Sequence, residues 1–335
     1  MSGGVDSSVA AYLMKQRGFD CIGVTMKLFA NEDIGISREH SCCSLDDVED
    51  ARSVAYSLDM PYYVFNFSDR FETDVIDRFV HAYENGITPN PCIDCNRYLK
   101  FDKLYMRAKE LDRDYVVTGH YARVEKDENG RFLLKKALDD TKDQSYVLHC
   151  LTQEQLSHTI FPLGEMRKSQ AREIAESQGF INARKADSQD ICFVQNGSYA
   201  DFIEQYTGKN YPDGDFLDTN GNVIGRHKGV IRYTVGQRKG LGISAPEPLY
   251  VKAVNPVSNT VTLSYNDGLY SSVVKAGDIN LISVPEIKGE MRVKAKVRYR
   301  HTEQWATVTQ NGETLTAVFD EPQRAVTCGQ ALVLY

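Results

Sequence analysis

The sequence predicts an α/β N-terminal domain built on a parallel sheet, followed by two small β-rich domains. From residue 5 to about residue 180, short apolar runs alternate with amphipathic segments of helical period. Strands separated by single helices imply parallel strands with helices on both faces of the sheet. Beyond residue 197 the pattern changes to glycine-rich turns and alternating strands, which are typical of small β-barrels.

The elements of the N-terminal half follow from hydrophobic periodicity. In the segment 46–59, for example, Ala51, Val54 and Leu58 fall on one helical face. The predicted order is a helix from residue 5, a strand at 21–26, a helix at 46–59, a strand at 62–67, helices at 70–83 and 101–111, and a strand at 115–119. The stretch TPNPCIDC is predicted to be a loop, because its two prolines fix an extended backbone.

The remaining elements are marked by turn residues. Asn129-Gly130 lies between two strand-like runs and predicts a hairpin over 121–137, and a helix over 168–178 is predicted to end at Gly179. A helix at 199–206 and strands at 230–235, 249–254, 260–265, 291–300 and 306–319 follow, the last being a hairpin with its turn at Asn311-Gly312. These changes in sequence pattern predict domains at residues 1–195, 196–265 and 266–335.

Composition and charge narrow the class of protein. A net charge of −7 disfavours a general nucleic-acid coat, although a local basic surface can override it. No run reaches about 18 apolar residues and no signal peptide is recognisable, so we expect a cytoplasmic protein without a membrane partner. Eight cysteines in such a chain are expected to be reduced, which makes clustered thiols candidates for chemistry.

Residues 2–8, SGGVDSS, directly precede a predicted helix. Their backbone N–H groups and the helix N-terminus are suited to bind phosphate. The end of a Walker A loop is absent, and capping of the helix by Ser2 or Asp6 is the simpler alternative. The whole string resembles the pyrophosphate loop of N-type ATP pyrophosphatases, whose fold is adenine nucleotide alpha hydrolase-like. Since a strand precedes the loop in that fold, we expect roughly six to ten residues upstream of Met1.

Cys92 and Cys95 form a CxxC pair, which has three common uses. A zinc site needs a second spaced pair, whereas Cys42 and Cys43 are adjacent. A thioredoxin-like dithiol opens a helix after a strand, whereas this pair lies in a predicted loop. The pair is therefore interpreted as reactive thiols, with the nearby cations Arg97 and Lys100 favouring the thiolate.

Three other cysteines are interpreted from their surroundings. Cys192 lies in the polar segment ADSQDICFV before Gly197, which favours an accessible thiol. Cys21 and Cys150 lie in apolar stretches and are expected to serve packing alone.

Eight motifs together resemble the tRNA-specific 2-thiouridylase family (MnmA) over essentially the whole chain. In order they are SGGVDSS, CCSLDDVEDARSVAYSLDMPYYVFNF, TPNPCIDCNRYLKF, VVTGHYAR, KDQSYVL, SQDICFV, YTVGQRKGLGI and AVTCGQ. The resemblance implies an enzyme that uses ATP, with Mg2+, to replace the C2 oxygen of the wobble uridine of tRNA with sulfur. It also implies that the sulfur arrives as a persulfide from a cysteine desulfurase or a sulfur-relay protein.

The resemblance assigns roles to individual residues. Cys192 would carry the persulfide, and Cys95 would release the sulfur by forming a transient disulfide with Cys192. The residues implied to bind ATP are Ser2, Gly3, Gly4, Val5, Asp6, Ser7, Ser8, Met26 and Gly119. Those implied to face the target base are Asn90, Pro91 and Cys92. Those implied to contact tRNA are His120, Lys142, Asp143, Gln144, Arg298, Tyr299 and Gln330.

The sequence departs from the family pattern at two positions. Cys92 stands where many members have an Asp thought to act as acid or base, and Asp94 is a candidate substitute. Cys328 replaces a usual proline, from which we expect little effect. Cys92 also raises an alternative, in which Cys92, Cys95 and Cys192 hold an iron–sulfur cluster with one open iron.

The segment MRVKAKVRYRH, residues 291–301, alternates cations with apolar residues. Period two predicts one cationic face without an acidic neighbour, formed by Arg292, Lys294, Lys296, Arg298 and Arg300. Contact of all five with phosphates would give a salt slope of log K of about −3.5 to −4.5. Tyr299 or Tyr233 would add stacking, and the loop 232–240 adds three more cations.

Two other functions are compatible with parts of this pattern. Another N-type ATP pyrophosphatase acting on a small molecule would explain SGGVDSS, but neither the thiols nor the basic strand. A non-catalytic tRNA-binding protein would explain the basic strand alone.

Overall fold

The computed structural model describes residues 1–29, 45–187, 191–194 and 198–335. The chain forms two compact units, residues 1–76 with 91–196, and residues 77–90 with 197–335. The three-domain division stays a prediction. Within the described ranges, the helices are all too short or too polar to cross a lipid bilayer.

Up to residue 180, helices alternate with short strands. The elements are α1 Val5–Gln16, β1 Gly23–Lys27, α2 Leu45–Ser57, β2 Tyr62–Asn66, α3 Ser68–Phe71, α4 Asp77–Glu84, α5 Pro91–Asp94, α6 Leu104–Glu110, β3 Val116–Val117, β4 Ala122–Lys126, β5 Phe132–Lys136, α7 Ser145–Leu148, α8 Gln153–Ser157, β6 Thr159–Ile160 and α9 Lys168–Ser177. Two π-helical segments, Glu72–Ile76 and Cys95–Lys103, join α3 to α4 and α5 to α6.

Parallel pairing of strands in the first unit is confirmed. β1 pairs with β2 from Gly23 opposite Tyr62 to Lys27 opposite Asn66, and β3 pairs with β6 in the same sense. Helix α1 buries Val5 and Val9 in a core that α2 and α9 also line. The start of α1, which carries the glycine loop, is thereby held by its apolar face.

The predicted loop around the CxxC pair is wrong from Pro91 onward. Helix α5 begins at Pro91 and continues through the π-helical segment into α6, so Cys92 and Cys95 lie on helical backbone. Proline suits the first position of a helix, where its missing N–H leaves no hydrogen bond unmade. The prolines therefore start a helix here instead of extending a loop.

Beyond residue 197, strands dominate as predicted. The elements are α10 Tyr199–Thr207, β7 Gly214–Leu217, β8 Val223–His227, β9 Tyr250–Asn255, β10 Thr260–Ser264, β11 Tyr270–Ala276, β12 Met291–Lys296, β13 Gln304–Asn311, β14 Thr314–Arg324 and β15 Val333–Leu334. They form a four-stranded sheet, β8-β7-β10-β9, and a five-stranded sheet, β11-β14-β13-β12-β15. Each sheet packs on an apolar cluster of its own.

Two predicted strands in this part need correction. Residues 230–235 contain a 3-10 turn, Val230–Arg232, between two glycines with positive φ, and its apolar side chains are buried without strand pairing. Strand β12 ends at Lys296, so residues 298 and 300 are no longer in strand geometry. The hairpin is confirmed, with Asn311 paired to Thr314 across a two-residue turn.

Candidate nucleotide site, thiols and tRNA-facing residues

The glycine loop makes a tight turn at the N-terminus of α1. Gly3 has φ +69°, and a Cβ there would lie 2.4 Å from the backbone oxygen of Asp47. The hydroxyls of Ser7 and Ser8 donate to the Gly4 carbonyl at 3.0 and 3.1 Å, and the Ser2 N–H donates to Ser7 Oγ at 3.1 Å. This geometry leaves the first N–H groups of a twelve-residue helix directed at its N-terminus, as an anion site requires.

Gly119 lies against this loop. A Cβ at Gly119 would be 2.7 Å from the Asp6 carbonyl carbon and 2.8 Å from the Ser7 nitrogen, so only glycine fits. Strand β1, which carries half-buried Met26, lies beside the start of the loop, where Thr25 Oγ1 donates to the Met1 carbonyl at 2.6 Å. The structure therefore brings together the loop and Gly119, while Val5 points into the core at 3% exposure.

A cluster of charged side chains surrounds Asp6, and sequence reasoning missed most of it. We call it the charged cluster, and its members are Asp6, Tyr121, Lys142, Lys168, Arg172 and Asp187. The Lys168 ammonium lies 2.7 Å from both Asp6 oxygens and 2.8 Å from Asp187 Oδ1. The Tyr121 hydroxyl donates to Asp6 Oδ1 at 2.9 Å. Lys142 was predicted as a tRNA contact, and here it lies 2.9 Å from Asp187 Oδ2.

The electrostatics of Asp187 follow from this cluster. Arg172 adds a third cation, 3.0 Å from Asp187 Oδ1. Burial alone would raise the pKa of the Asp187 carboxyl, but hydrogen bonds and attraction from Lys168 and Lys142 outweigh it and lower the pKa to about 2. The carboxylate is therefore ionised throughout the physiological range. The i, i+4 spacing of Lys168 and Arg172 on α9 was the one sequence signal for a shared anionic partner.

Asn182 is a second residue that sequence reasoning missed. Its side chain is 3% exposed, and Nδ2 donates to the Gly3 carbonyl and to Ser8 Oγ, both at 2.9 Å. Nearby, Lys185 pairs with Asp47 and Asp50 of α2 at 2.5 and 2.7 Å. The segment after α9 thus fixes both the loop and the helix against which Gly3 packs.

Two residues predicted to contact tRNA make hydrogen bonds within the first unit. Asp143 accepts from the Ala137 N–H at 3.0 Å and from Ser145 Oγ at 2.7 Å. Gln144 accepts from the Tyr121 N–H through its side chain at 2.9 Å. These bonds shape the turn that presents Lys142, and tRNA contact by the trio stays a prediction.

His120 is buried in an aromatic setting. It is 9% exposed, its ring lies about 6 Å from those of Phe101 and Phe161, and Nδ1 lies 2.7 Å from Thr118 Oγ1. Burial, with a smaller effect from Lys100, holds the pKa of His120 well below its usual value. Its imidazole is consequently neutral at physiological pH, so any contact with tRNA would be uncharged.

The predicted reactive thiols lie in the first unit at different depths. Cys92 is exposed, Cys95 is 9% exposed and Cys192 is half-buried. The ring of Phe193 packs edge-on against Phe71 at 5.7 Å, and the helix bearing Phe71 also packs against the helical segment that begins at Cys95. Both thiol-bearing segments thus share one apolar neighbour.

The cysteines expected to serve packing behave accordingly. Burial raises the pKa of the Cys150 thiol to about 11, and this thiol points to the Ile93 carbonyl at 3.7 Å. Burial likewise raises the pKa of Cys21. The adjacent pair Cys42-Cys43 and Gly197 lie outside the described residues.

The thiols do not fit a metal cluster. Across residues 1–29, 45–187, 191–194 and 198–335, no three His, Cys, Asp or Glu side chains are arranged to hold a metal ion. This range includes Cys92, Cys95 and Cys192. We therefore derive no step through an iron–sulfur cluster.

In the second unit, three residues predicted to contact tRNA lie near the turn that follows β14. The Arg298 guanidinium donates to the Val235 carbonyl at 2.8 Å and to Thr327 Oγ1. Gln330 Nε2 donates to the Thr88 carbonyl at 2.8 Å, two residues before half-buried Asn90. Tyr299 is 39% exposed. Gln330 thus contacts the segment leading to the CxxC helix, and its contact with tRNA stays a prediction.

The prediction of one face with five cations is wrong. Arg292 forms two hydrogen bonds with Asp320, at 2.8 and 2.7 Å, so an acidic neighbour is present. Arg298 lies beyond the end of β12 and donates to the backbone. Lys294 and Lys296 remain on β12, 5.5 and 5.7 Å from the centres of the Trp305 and Tyr335 rings.

Two further residues named for this surface are held within the protein. Tyr233 was predicted to stack on bases, but it is 7% exposed and packs against Phe216 and His227. Arg232, in the loop 232–240, pairs with Asp201 and Glu204 at 2.8 and 2.7 Å.

The first unit is an α/β adenine-nucleotide domain, as its parallel strand pairs and the glycine loop at the start of α1 indicate. Domains rich in β-strands follow it. The family model described as tRNA methyl transferase HUP domain matches residues 1–196. Models described as tRNA methyl transferase PRC-barrel domain and aminomethyltransferase beta-barrel domain match residues 200–265 and 271–335.

Curated relatives match over the full chain. The tRNA-specific 2-thiouridylase MnmA of Clostridioides difficile is 50% identical over all of this chain and 93% of its own length. Those of Lachnoclostridium phytofermentans and Clostridium perfringens are 50% and 48% identical, over 94% and 93% of their lengths. The chain belongs to the tRNA-specific 2-thiouridylase family.

Proposed function

We propose that this protein is a tRNA 2-thiouridylase, which replaces the C2 oxygen of the wobble uridine of tRNA with sulfur at the expense of ATP. The observation that carries this proposal is the 50% identity over the whole chain to relatives named for this activity. The description of the first family model names methyl transfer. Sulfur chemistry is favoured because the unit that carries the nucleotide loop also carries the thiols of Cys92, Cys95 and Cys192.

The first step is adenylation of the uridine C2 oxygen. The loop from Ser2 to Ser8 and the N-terminus of α1 would hold the pyrophosphate part of ATP, with Gly119 and Met26 beside the nucleotide. The uridine oxygen would attack the α-phosphorus, pyrophosphate would leave, and the C2 oxygen would become part of a good leaving group, AMP. Mg2+ would accompany the phosphates, and no protein-only metal site is invoked.

The second step transfers sulfur. The terminal sulfur of a Cys192 persulfide would attack C2 and displace AMP, which leaves the uridine joined to Cys192 through a disulfide. The Cys95 thiolate would then attack the Cys192 sulfur, releasing 2-thiouridine and forming a Cys95–Cys192 disulfide. The persulfide sulfur is reduced by two electrons that come from the two thiols, so an external thiol reductant must regenerate them.

Several other groups have proposed roles around this reaction. Asn90, Pro91 and Cys92 would face the target base, with Asp94 as the acid or base. A cysteine desulfurase or a sulfur-relay protein would load Cys192. The tRNA would be held by residues of both units, namely His120, Lys142, Asp143, Gln144, Arg298, Tyr299 and Gln330.

Nucleoside mass spectrometry tests the proposal. Cells lacking the gene should lose 2-thiouridine from tRNA, and the wild-type gene should restore it. The variants Cys192→Ser and Cys95→Ser should fail to do so, whereas Cys21→Ser, a packing cysteine in the same unit, should succeed. Full restoration by Cys192→Ser would overturn the sulfur-carrying role.

ATP–pyrophosphate exchange separates the alternatives. Exchange that requires tRNA agrees with the proposal. Exchange without tRNA would indicate a small-molecule synthetase, and no exchange under either condition would indicate a binding protein. Activity that depends on reconstituted iron would support the cluster alternative.

A further inference from the structure

The side-chain amide of Asn182 contacts the glycine loop through its nitrogen. Nδ2 donates to the Gly3 carbonyl and to Ser8 Oγ, each at 2.9 Å, and the side chain is 3% exposed. Because a carbonyl can only accept a hydrogen bond, the amide must present Nδ2, and not Oδ1, to Gly3. We propose that Asn182 is a positioning residue, which holds the peptide groups of the loop in the orientation that binds the pyrophosphate part of ATP. The inference rests on the proposed function, because it assumes that the loop binds ATP.

Peptide geometry converts these contacts into a direction for the N–H groups of the loop. In a trans peptide, the C=O of one residue and the N–H of the next point in opposite directions. The Gly3 carbonyl points to buried Asn182, so the Gly4 N–H points away from it. The Gly4 carbonyl accepts from the Ser8 hydroxyl at 3.1 Å, so the Val5 N–H points away from that hydroxyl. Both N–H groups belong to the start of α1, where they have no partner within the helix and are suited to bind an anion.

Two consecutive glycines make this orientation easy to lose. Rotation of the peptide between Gly3 and Gly4 changes ψ of the first and φ of the second, and glycine adopts φ of either sign at little cost. After half a turn, this peptide would present its carbonyl oxygen to the phosphates and repel them. The hydrogen bond from Asn182 opposes the rotation, because a rotated peptide would leave the buried amide without its acceptor. Asn182 therefore supplies the restraint that the two glycines lack.

The backbone around Asn182 is itself fixed by packing. Phe180 and Ala183, which flank it, are buried in the same apolar cluster as Val9 of α1. The Ala183 N–H donates to the Phe180 carbonyl, and the Lys185 N–H donates to the Asn182 carbonyl, both at 3.0 Å. The protein alone makes these contacts, so the amide is in place before nucleotide binds, as a preorganised site requires.

Binding of two separate parts of ATP distinguishes positioning from folding. The purified full chain is titrated with inorganic pyrophosphate and, separately, with adenosine by isothermal titration calorimetry. In Asn182→Ala, pyrophosphate affinity should fall by at least about tenfold, the loss expected for one hydrogen bond to a charged group, while adenosine affinity should not change. In Asn182→Asp the fall should be larger, because an ionised carboxylate keeps the shape of the amide but cannot donate and repels phosphate.

Asn96→Ala is the matched control for folding. Asn96 is 1% exposed in the same unit, and its Nδ2 donates to the Val147 carbonyl at 2.9 Å. The variant removes the same kind of buried hydrogen bond, but one that does not involve residues 2–8, so its pyrophosphate affinity should equal that of the wild type. Should Asn182→Ala fail to fold, Ser8→Ala removes the hydroxyl that links Asn182 to the Gly4 carbonyl, and it should also weaken the binding of pyrophosphate but not of adenosine.

The outcomes distinguish this inference from the proposed function. Equal pyrophosphate affinity in the wild type and Asn182→Ala, or an equal loss of pyrophosphate and adenosine affinity, would overturn the positioning role while leaving thiolation intact. A loss in Asn96→Ala as large as that in Asn182→Ala would overturn it too, because the loop would then respond to any buried amide. Absence of 2-thiouridine formation by the wild type would overturn the proposed function, whereas a selective loss of pyrophosphate binding in Asn182→Ala would still establish the positioning role.

Discussion

The side chain of Asp187 shows how one carboxyl is tuned by residues far away in sequence. Its partner Lys168 also binds Asp6, which is 162 positions from that lysine. Apart from the i, i+4 spacing of Lys168 and Arg172, periodicity and local motifs carry no information about such pairs, and therefore most of the charged cluster could not be predicted. The residues of SGGVDSS, by contrast, were predictable because a local backbone turn and a helix N-terminus define their role.

The lowered pKa of Asp187 predicts a pH-dependent contribution to stability. A carboxyl whose pKa falls from 3.8 to about 2 on folding stabilises the protein above pH 4 and loses this effect as the pH falls toward 2. Allowing for solvent screening, Asp187→Asn should lower the free energy of unfolding at pH 7 by about 1 to 2 kcal/mol. Urea unfolding at pH 7 and pH 3 should show the gap narrowing at the lower pH. A gap that stays constant would show that ionisation of Asp187 is not its source.

Burial of His120 predicts that its imidazole does not gain a proton in the physiological pH range. Because burial disfavours the imidazolium, the His120 ring should stay neutral between pH 5.5 and 8, and protonation would penalise the folded state below about pH 6.5. Nuclear magnetic resonance of the histidine ring nitrogens should show constant His120 shifts over this range. A His120 midpoint near 6.5 would contradict the buried, neutral state.

At the scale of elements, the sequence predicted whether a segment is a helix or a strand better than it predicted where that element begins and ends. The helices at 5–16, 45–57 and 168–177 and the hairpins were predictable, because long amphipathic periods and Asn-Gly turns leave few alternatives. Pro91 was misread because a proline that extends a loop and a proline that starts a helix look alike locally. What separates them is the packing of the following helix, with Cys95, Asn96 and Leu99 buried.

The contact between Gly119 and the loop predicts a strict size limit. In Gly119→Ala the new Cβ would meet backbone atoms of Asp6 and Ser7 at 2.7 to 2.8 Å, and neither can move without displacing the start of α1. We expect ATP affinity to fall by at least about tenfold, since a displaced loop loses well over one hydrogen bond to phosphate. Equilibrium dialysis with labelled ATP measures this. Gly277→Ala, where a Cβ would meet only the Glu313 oxygen at 3.7 Å, should bind as the wild type does, and equal affinity in the two variants would rule out the steric limit.

At the scale of the whole molecule, the net charge is negative, so the cations left for an anionic partner depend on local pairing. The chain carries a net charge of −7, and several of its cations are already paired, as Arg292 is with Asp320 and Arg232 is with Asp201. The alternation of cations in residues 291–301 was visible in the sequence, but the acidic partner lies on β14 and the strand ends at Lys296. Cross-strand pairing thus decides which cations remain for an anionic partner.

The corrected surface predicts a weaker salt dependence of tRNA binding than five phosphate contacts would give. With Lys294 and Lys296 as the contributors, this face should supply a slope of log K against log salt of about −1.4 to −1.8. Lys294→Ala should reduce the slope by about 0.7 to 0.9, because one phosphate contact is lost. The paired change Arg292→Gln with Asp320→Asn removes one cation and one anion from the same surface and should leave the slope unchanged. Filter-binding titrations from 50 to about 200 mM salt measure all three proteins. An equal loss of slope in the Lys294 variant and in the paired variant would mean that Arg292 binds phosphate despite Asp320, while no loss in either would move the tRNA to another face of the protein.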